Sequence, residues 1–341
     1  MAVTIRDVAR VAGVSASTVT RALTLPDLVR PATRERVIKV AGDLGYRPNR
    51  AARELITGRT GTIGLLVPDL GNPFFPSMVK GVQARAHEAD LAVFLADADE
   101  DTAAEIGLVR KLSDKVDGLL LCSPRMGDDE LRALHQGDKP LVLVNRRLAR
   151  VPSVTPDFPG GMRQAVGHLT ALGHRRIAYV AGPKGSWANR ERTRTLRAVC
   201  GAAGVELVEA GNVIPQFEGG VAAADQVLAA AVTAVIGYND LVALGLLHRF
   251  AARGVAVPGE VSVLGFDDIA FAAMAHPALT TVALPQEQAG RAAVDLLLRL
   301  LTESDERGRN DRGRGEKTER RDLPTQLMVR GTTGPARQEE T

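Results

Sequence analysis

Apolar positions along this chain follow one period in the first 45 residues and another beyond residue 62. In "TIRDVARVA", residues 4–12, Ile5, Val8, Ala9 and Ala12 recur at helical spacing and share one face. Thr4 is the expected N-cap, and Asp7 three residues on comes close to a capping-box partner. Gly13 ends this helix. Ser15 opens a second, "SASTVTRAL", whose apolar residues Val19, Ala22 and Leu23 fall on one side. The turn between them, "AGVS", is short and contains a glycine, so the pair reads as a helix-turn-helix. A third helix is predicted over 31–44, with Pro31 in the favoured first position and Val37, Val40, Ala41 and Leu44 as its buried stripe.

From residue 62 the pattern becomes short apolar runs separated by helical segments. "TIGLLVP" reads as a buried strand, followed by helix 76–89, strand 91–96, helix 102–113, strand 116–122, helix 128–136 and strand 140–145. A second series runs helix 160–172, strand "RIAYVAG", helix 189–203, strand 205–208, helix 219–231, strand "AVIGYND", helix 241–253 and strand "VSVLGFDD". Near-continuous apolar strands alternating with helices predict parallel sheets covered on both faces. Two such series predict two doubly wound α/β lobes. Their ligands sit beyond the carboxyl ends of the strands, which between facing lobes is a cleft. The segment 302–322, "TESDERGRNDRGRGEKTERRD", holds 14 charged residues and no aliphatic or aromatic side chain, so it predicts a flexible insert. "LPTQLMVRG" after it reads as one more strand.

Composition adds a division of labour. A chain of 341 residues, 45% apolar and 24% charged, is ordinary globular material for more than one domain. No 18-residue apolar run exists and "MAVTIRDVAR" has no long apolar core, so neither a membrane span nor a signal peptide is expected; the expected compartment is the cytoplasm. Cys122 and Cys200 are neither a disulfide framework nor a metal motif and read as core residues. The net charge of +3 is uneven: residues 1–60 hold 11 Lys and Arg against 5 Asp and Glu. A basic head on a mildly acidic body points to a nucleic-acid module joined to something else. The second helix offers Ser15, Ala16, Ser17, Thr18, Thr20 and Arg21 to a major groove about 12 Å wide, hydroxyls suiting phosphates and arginine suiting guanine.

Several stretches together resemble the LacI/GalR family of transcription factors: "TIRDVARVAGVSASTVTRAL", "GYRPNRAARELITGRTGTIGLLVPDLGNPFF", "LGHRRIAYVAGP", "YNDLVALGLL" and "VPGEVSVLGFDDI". The resemblance runs from residue 3 to about 337, broken only by the charged insert. It implies an all-α helix-turn-helix head over 1–46 and a hinge helix over 47–60. It also implies a core like periplasmic sugar-binding proteins, with an N-terminal lobe (61–157 and 285–323) and a C-terminal lobe (158–284 and 324–335). By position, Ser15, Thr18, Thr20 and Asn49 resemble phosphate contacts, Ala16 and Ser17 the variable base-reading positions, and Arg21 an arginine that also reaches bases. Thr4 is carried with them as DNA-facing. Leu55 matches a leucine that wedges into the minor groove when paired hinge helices form on DNA, with Ala52 at their contact. Arg30 stands where a Ser usually caps the third helix and Thr24 where Asn is usual, so weaker capping is expected.

For the cleft, Asp69, Asn72, Asn145, Arg146, Asn239, Asp240 and Asp267 sit at expected strand ends. The resemblance makes Arg192 an effector-gripping arginine, Asn239 and Asp267 ligand-binding polar residues, and Phe217 an aromatic platform. Asn145 stands where many members have Asp. Trp187 either stacks on a sugar ring or is a partly exposed lobe residue, and Phe74 is favoured over Phe75 to face the ligand. Thr195, Leu196, Pro156 and Phe158 depart from the family pattern near the cleft. The implied protein is an operator-specific regulator, most simply a repressor. It would bind pseudo-palindromic double-stranded DNA as a homodimer under a small sugar or related metabolite. A corepressor-dependent regulator of nucleoside, purine or central metabolism is the alternative, and a solute-binding protein without a DNA role a remote one. Residues 71–90 and 270–285 are expected at the dimer face. No cofactor, metal or membrane partner is expected. With no GxSxG, HExxH, P-loop or GxGxxG at a strand–helix junction, no enzyme is expected.

Overall fold

The computed structural model describes residues 3–24, 28–46, 59–307 and 319–337. Asn49, Ala52 and Leu55 of the expected hinge lie outside these residues, as does 308–318. The chain divides into two compact units, one of residues 1–62 with Lys115–Asp117, the other Ile63–Asp114 with Gly118 onward.

The first unit contains α1 (Ile5–Ala12), α2 (Ala16–Thr24) and α3 (Pro31–Asp43). They close around Val8, Ala9, Ala12, Val19, Ala22, Val37 and Ala41. The Asp7 carboxylate accepts from the Thr4 amide at 3.0 Å and the Thr4 hydroxyl at 2.7 Å, which holds its carboxyl below the usual range. Gly13 ends α1 at φ 65°, a conformation that costs a residue with a Cβ roughly 1–2 kcal/mol. Arg30 precedes α3 and gives no side-chain cap; Pro31 at the first position removes one unmet amide instead. Downstream in the same unit, the Asp117 carboxylate accepts from the amides of Thr60 and Gly61 at 2.8 and 2.9 Å.

The second unit is built on two six-stranded sheets. In chain order the strands are β1 (Thr62–Val67), β2 (Ala92–Asp97), β3 (Gly118–Cys122), β4 (Leu141–Val144), β5 (Ser153–Pro156), β6 (Arg176–Ala181), β7 (Glu206–Asn212), β8 (Ala234–Gly237), β9 (Ser262–Asp267), β10 (Thr280–Ala283), β11 (Arg320–Leu323) and β12 (Gln326–Met328). The first sheet has the order β11-β5-β4-β3-β1-β2 and the second β12-β10-β9-β8-β6-β7. β10 pairs with β12 antiparallel, while β1–β3, β3–β4, β4–β5, β5–β11, β6–β7, β6–β8, β8–β9 and β9–β10 pair parallel. Central strands β1, β3, β4, β8 and β9 are buried throughout, as parallel strands under helices must be. This is the two-lobed α/β architecture that the alternating pattern implies.

The helices of this unit are α4 (Phe74–Glu88), α5 (Thr102–Ser113), α6 (Asp128–His135), α7 (Phe158–Ala171), α8 (Trp187–Ala203), α9 (Phe217–Ala229), α10 (Asp240–Ala252), α11 (Ala270–Met274) and α12 (Gln286–Arg307). In each lobe a helix pair crosses on glycine. A Cβ on Gly81 of α4 would stand 2.1 Å from the Glu287 carbonyl oxygen of α12, and one on Gly220 of α9 would stand 2.0 Å from the Val242 carbonyl oxygen of α10. One apolar core continues from Leu65, Leu120 and Val144 of the first sheet to Tyr179, Ile236 and Phe266 of the second. No described helix is long and apolar enough to cross a membrane.

Two expectations need correction. The charged segment 302–322 is not a loop throughout: α12 runs on to Arg307 and β11 begins at Arg320. Extending an existing helix adds one hydrogen bond per residue without a new nucleus, so Glu and Arg suffice to carry it past the apolar stripe. "LPTQLMVRG" is not a single strand either. Leu323 ends β11 in the first sheet and Gln326 begins β12 in the second, with Pro324, which cannot donate to a ladder, at the crossing.

Candidate functional site

In the head, Ser15 caps α2: its hydroxyl accepts from the Thr18 amide at 3.1 Å and lies 2.8 Å from the hydroxyls of Ser17 and Thr18. Ser15, Ser17 and Arg21 are exposed, while Ala16, Thr18 and Thr20 are half-buried. Ser17 and Arg21 are four apart and share a face. Thr20 turns its hydroxyl back to the Ala16 carbonyl at 3.1 Å. Thr4 is exposed at the start of α1, its hydroxyl committed to Asp7. Asn49, Ala52 and Leu55 are outside the described residues.

In the second unit a cavity lies between the carboxyl ends of the two sheets. It is lined by Asn72, Phe74, Phe75, Asn145, Arg192, Asn239 and Asp267 among the expected residues, and also by Glu100, Ser123, Arg125, Phe158, Ala188, Pro215 and Tyr238. Phe74 and Phe75 both line it; their rings meet edge-on with centroids 5.1 Å apart.

Arg192, on α8, is the best-supported side chain there. Its guanidinium lies over Phe266 at 3.8 Å, Phe158 at 4.8 Å and Tyr238 at 4.9 Å. Its Nη1 donates to the Tyr238 carbonyl at 2.5 Å, and Nη2 stands 3.8 Å from Asp267. Phe158, a departure from the family pattern, thus supplies one wall of the aromatic box. Burial pushes the Asp267 carboxyl well up, against the pull of Arg192 and with a push from Asp240. Asp240 itself is fully buried behind the cavity, accepting from the Ile269 amide at 2.9 Å, and is pushed up to about 6 by that burial.

Backbone strain concentrates at the same place. Ser123 (φ 47°), Asn145 (φ 56°), Asp267 (φ 122°) and Asp268 (φ 58°) follow or end β3, β4 and β9 in conformations disfavoured for residues with a Cβ. Such residues cost roughly 1–3 kcal/mol each and persist where surroundings over-determine them, commonly at ligand clamps. Asn145 Oδ1 and Arg192 Nε are buried with no hydrogen-bond partner among the described residues. Of the four such atoms among the described residues, these two belong to residues that line the cavity, which is consistent with a polar ligand there.

Other expected residues lie elsewhere. Asp69 is buried beside the cavity rather than lining it; it accepts from Gln216 Nε2 at 3.2 Å, which joins the loop after β1 to the segment before α9. Trp187 is half-buried and packs on Phe158 at 6.0 Å, behind the lining. Phe217 packs against His248 at 5.4 Å between α9 and α10, away from the lining, where Pro215 stands instead. Arg146 donates to the carbonyls of Pro124 and Met126, both at 2.7 Å, so it shapes a loop instead of facing the cavity. Asn239 lines the cavity but is largely committed, capping α10 through the Val242 amide at 2.9 Å and donating to the Pro215 carbonyl at 2.8 Å. Glu100, Arg125 and Tyr238 carry no local signal beyond lying a few residues past an apolar run.

A basic helix-turn-helix head on a two-lobed, ligand-clamp core defines a DNA-binding regulator with a small-molecule site. The described relatives agree. Residues 4–49 match the model for bacterial regulatory proteins of the lacI family, and 166–333 that for a periplasmic binding protein-like domain. The chain is 38% identical to the HTH-type transcriptional regulator CelR of Thermobifida fusca, over 96% of this chain and 97% of that one. It is 31% identical to the HTH-type transcriptional regulator DegA of Bacillus subtilis (98% and 99%). Among solved structures it is similar to the lac repressor dimer bound to operator and the anti-inducer ONPF, with TM-score 0.82, 27% identity and coverage of 98% and 100%. It is also similar to a CelR–cellobiose complex, with TM-score 0.69, 33% identity and coverage of 97% and 99%. The chain belongs to the LacI family of bacterial transcriptional regulators.

Proposed function

We propose that this regulator is a repressor whose hold on operator DNA is set by a small sugar in the cavity between the lobes. The observation that carries this is the open pair of buried polar atoms, Asn145 Oδ1 and Arg192 Nε, in a cavity walled by Phe74, Phe75, Phe158 and Tyr238. A sugar offers hydroxyls that donate to the first and accept from the second, and an apolar ring face for the aromatics. The likeness to a cellobiose-bound regulator and, at 25% identity, to a ribose-bound LacI-family regulator from Enterococcus faecium supports a sugar over a nucleobase.

On this reading the protein acts in the cytoplasm as a homodimer, two heads reading a pseudo-palindrome whose spacing follows the twofold axis. Thr4, Ser15, Thr18, Thr20 and Asn49 serve the phosphates, and Ala16, Ser17 and Arg21 face the bases. Leu55 wedges into the minor groove beside Ala52, at a cost of a few kcal/mol of unstacking offset by contacts to bent DNA. The lobes keep the boundaries 61–157 with 285–323 and 158–284 with 324–335. Sugar shifts operator affinity only as far as it binds one state better than the other. The test is a sugar panel read by thermal shift and by Trp187 fluorescence, followed by operator titration with any sugar that binds. Leu55→Gly is expected to abolish specific operator binding with sugar affinity intact. A protein that binds sugar but shows the same operator affinity with and without it contradicts the proposal.

A further inference from the structure

Arg125 is the least expected residue of the cavity and the most heavily built. Its backbone is held from two sides. Glu105, buried on α5, accepts from the Arg125 amide at 2.8 and 2.9 Å and from the Met126 amide at 2.7 Å. Arg146, buried after β4, donates to the carbonyls flanking Arg125, those of Pro124 and Met126. The two buried charges fix the loop after β3 by its amides and its carbonyls, and so fix where the Arg125 side chain leaves it.

That side chain forms a fork with Glu100. Nε donates to one carboxylate oxygen at 2.8 Å and Nη2 to the other at 2.7 Å, while Nη1 reaches the Ser123 carbonyl at 3.0 Å. Three of the five guanidinium N–H groups are thereby used, and carboxylate lone pairs remain. Both partners line the cavity. On the opposite lobe Arg192 faces Asp267. Each lobe thus presents one arginine with one carboxylate.

We propose that the Arg125–Glu100 fork determines specificity, selecting a neutral polyhydroxylated ligand and rejecting its phosphorylated or carboxylated form. This rests on the reading of the cavity as a sugar site and adds the ligand's charge class. A vicinal pair of hydroxyls accepts from the spare guanidinium N–H and donates to the Glu100 oxygens, matching the plane of the fork. A phosphate gains little from an arginine already neutralised in a bidentate pair and meets the Glu100 carboxylate at close range. The bidentate pair and the bond to the Ser123 carbonyl hold the Arg125 guanidinium on Glu100 against swinging away to greet an anion.

The experiment is calorimetric titration of the full-length protein with glucose, ribose, cellobiose, glucose 6-phosphate and ribose 5-phosphate, repeated on Glu100→Gln. The amide keeps the shape and an acceptor but removes the negative charge. The wild type is expected to bind a neutral sugar and to bind the phosphates at least about tenfold more weakly. Glu100→Gln is expected to narrow that preference by about tenfold or more, chiefly by gaining affinity for the phosphates. Each preference is a ratio within one protein, so a general loss of stability does not produce it. A wild type that prefers phosphates, or a preference unmoved in Glu100→Gln, overturns the proposal while leaving the sugar reading standing. A wild type that binds none of the five removes the sugar reading and the fork's role with it.

Discussion

Arg192→Ala separates the two things this arginine does. Toward a ligand it offers an open Nε in a buried aromatic box. A hydrogen bond from a charged donor contributes about 1.5–3 kcal/mol, so its loss weakens sugar binding roughly 10- to 150-fold. Toward the fold it balances Asp267. Removing one partner of a buried ion pair commonly costs about 3–5 kcal/mol because the other charge is stranded. Here Asp267 is already pushed well up by burial, so it can take a proton and shed the charge. The stability loss is therefore expected near the lower end, about 3 kcal/mol including the lost ring contacts. Urea unfolding of Arg192→Ala, Asp267→Asn and the double variant tests this. Asp267→Asn should be less damaging in the Arg192→Ala background than alone, because the stranded carboxyl is the shared cause. Sugar titration by Trp187 fluorescence reads the other half. Wild-type sugar affinity in Arg192→Ala, or strictly additive stability changes, refutes the reasoning.

Four further outcomes are expected. Gly220→Ala drives a Cβ to 2.0 Å from the Val242 carbonyl oxygen, and backbone cannot yield cheaply there; stability should fall by about 1–3 kcal/mol, read by urea unfolding. Gln216→Ala removes a bond between the lobes to Asp69; worth about 1 kcal/mol, its loss should weaken sugar binding about fivefold without altering operator affinity in the absence of sugar. Asp240 holds its proton to about pH 6 when folded against an ordinary value of 3.8, so its contribution to stability falls as pH rises from about 4 to about 6 and is constant above. The stability of Asp240→Asn relative to wild type should therefore rise by up to about 3 kcal/mol across that window; a pH-independent difference contradicts it. Arg30→Ser supplies the missing cap of α3 and should stabilise the head by about 1 kcal/mol, seen as a higher melting midpoint of its helical signal.

The fold class was legible because period is a local property. Val8, Ala9 and Ala12 declare a helix face, and "TIGLLV" declares a covered strand, whatever lies far away. β5, "SVTP", is harder: four residues with two hydroxyls and a proline become a strand only because β4 and β11 flank it. The division of 323–331 between two sheets is likewise set by the partners and not by the segment. At the cavity, Asn145, Asn239 and Asp267 follow directly on apolar runs, so the rule that ligands sit beyond strand ends reaches them. Glu100 and Arg125 do not follow so directly. The direction of Arg125 is fixed by Glu105 and Arg146, distant in sequence, through amides and carbonyls that leave no pattern in side-chain type, and Glu100 is met by Arg125 in turn. Aromatic character alone misleads for the same reason: Phe217 is spoken for by His248, while Phe158, an aberrant residue for its position, is one of three rings that reach Arg192.

The central claim is that one sugar site and one operator site share an energy balance. Operator affinity should be measured by fluorescence anisotropy, with and without saturating sugar, on a duplex selected from random sequence. Sugar affinity should then be measured with and without that duplex. The account predicts two ratios that differ from one and equal each other, since coupling between binding sites is reciprocal. Sugar that binds the cavity while leaving operator affinity unchanged contradicts it.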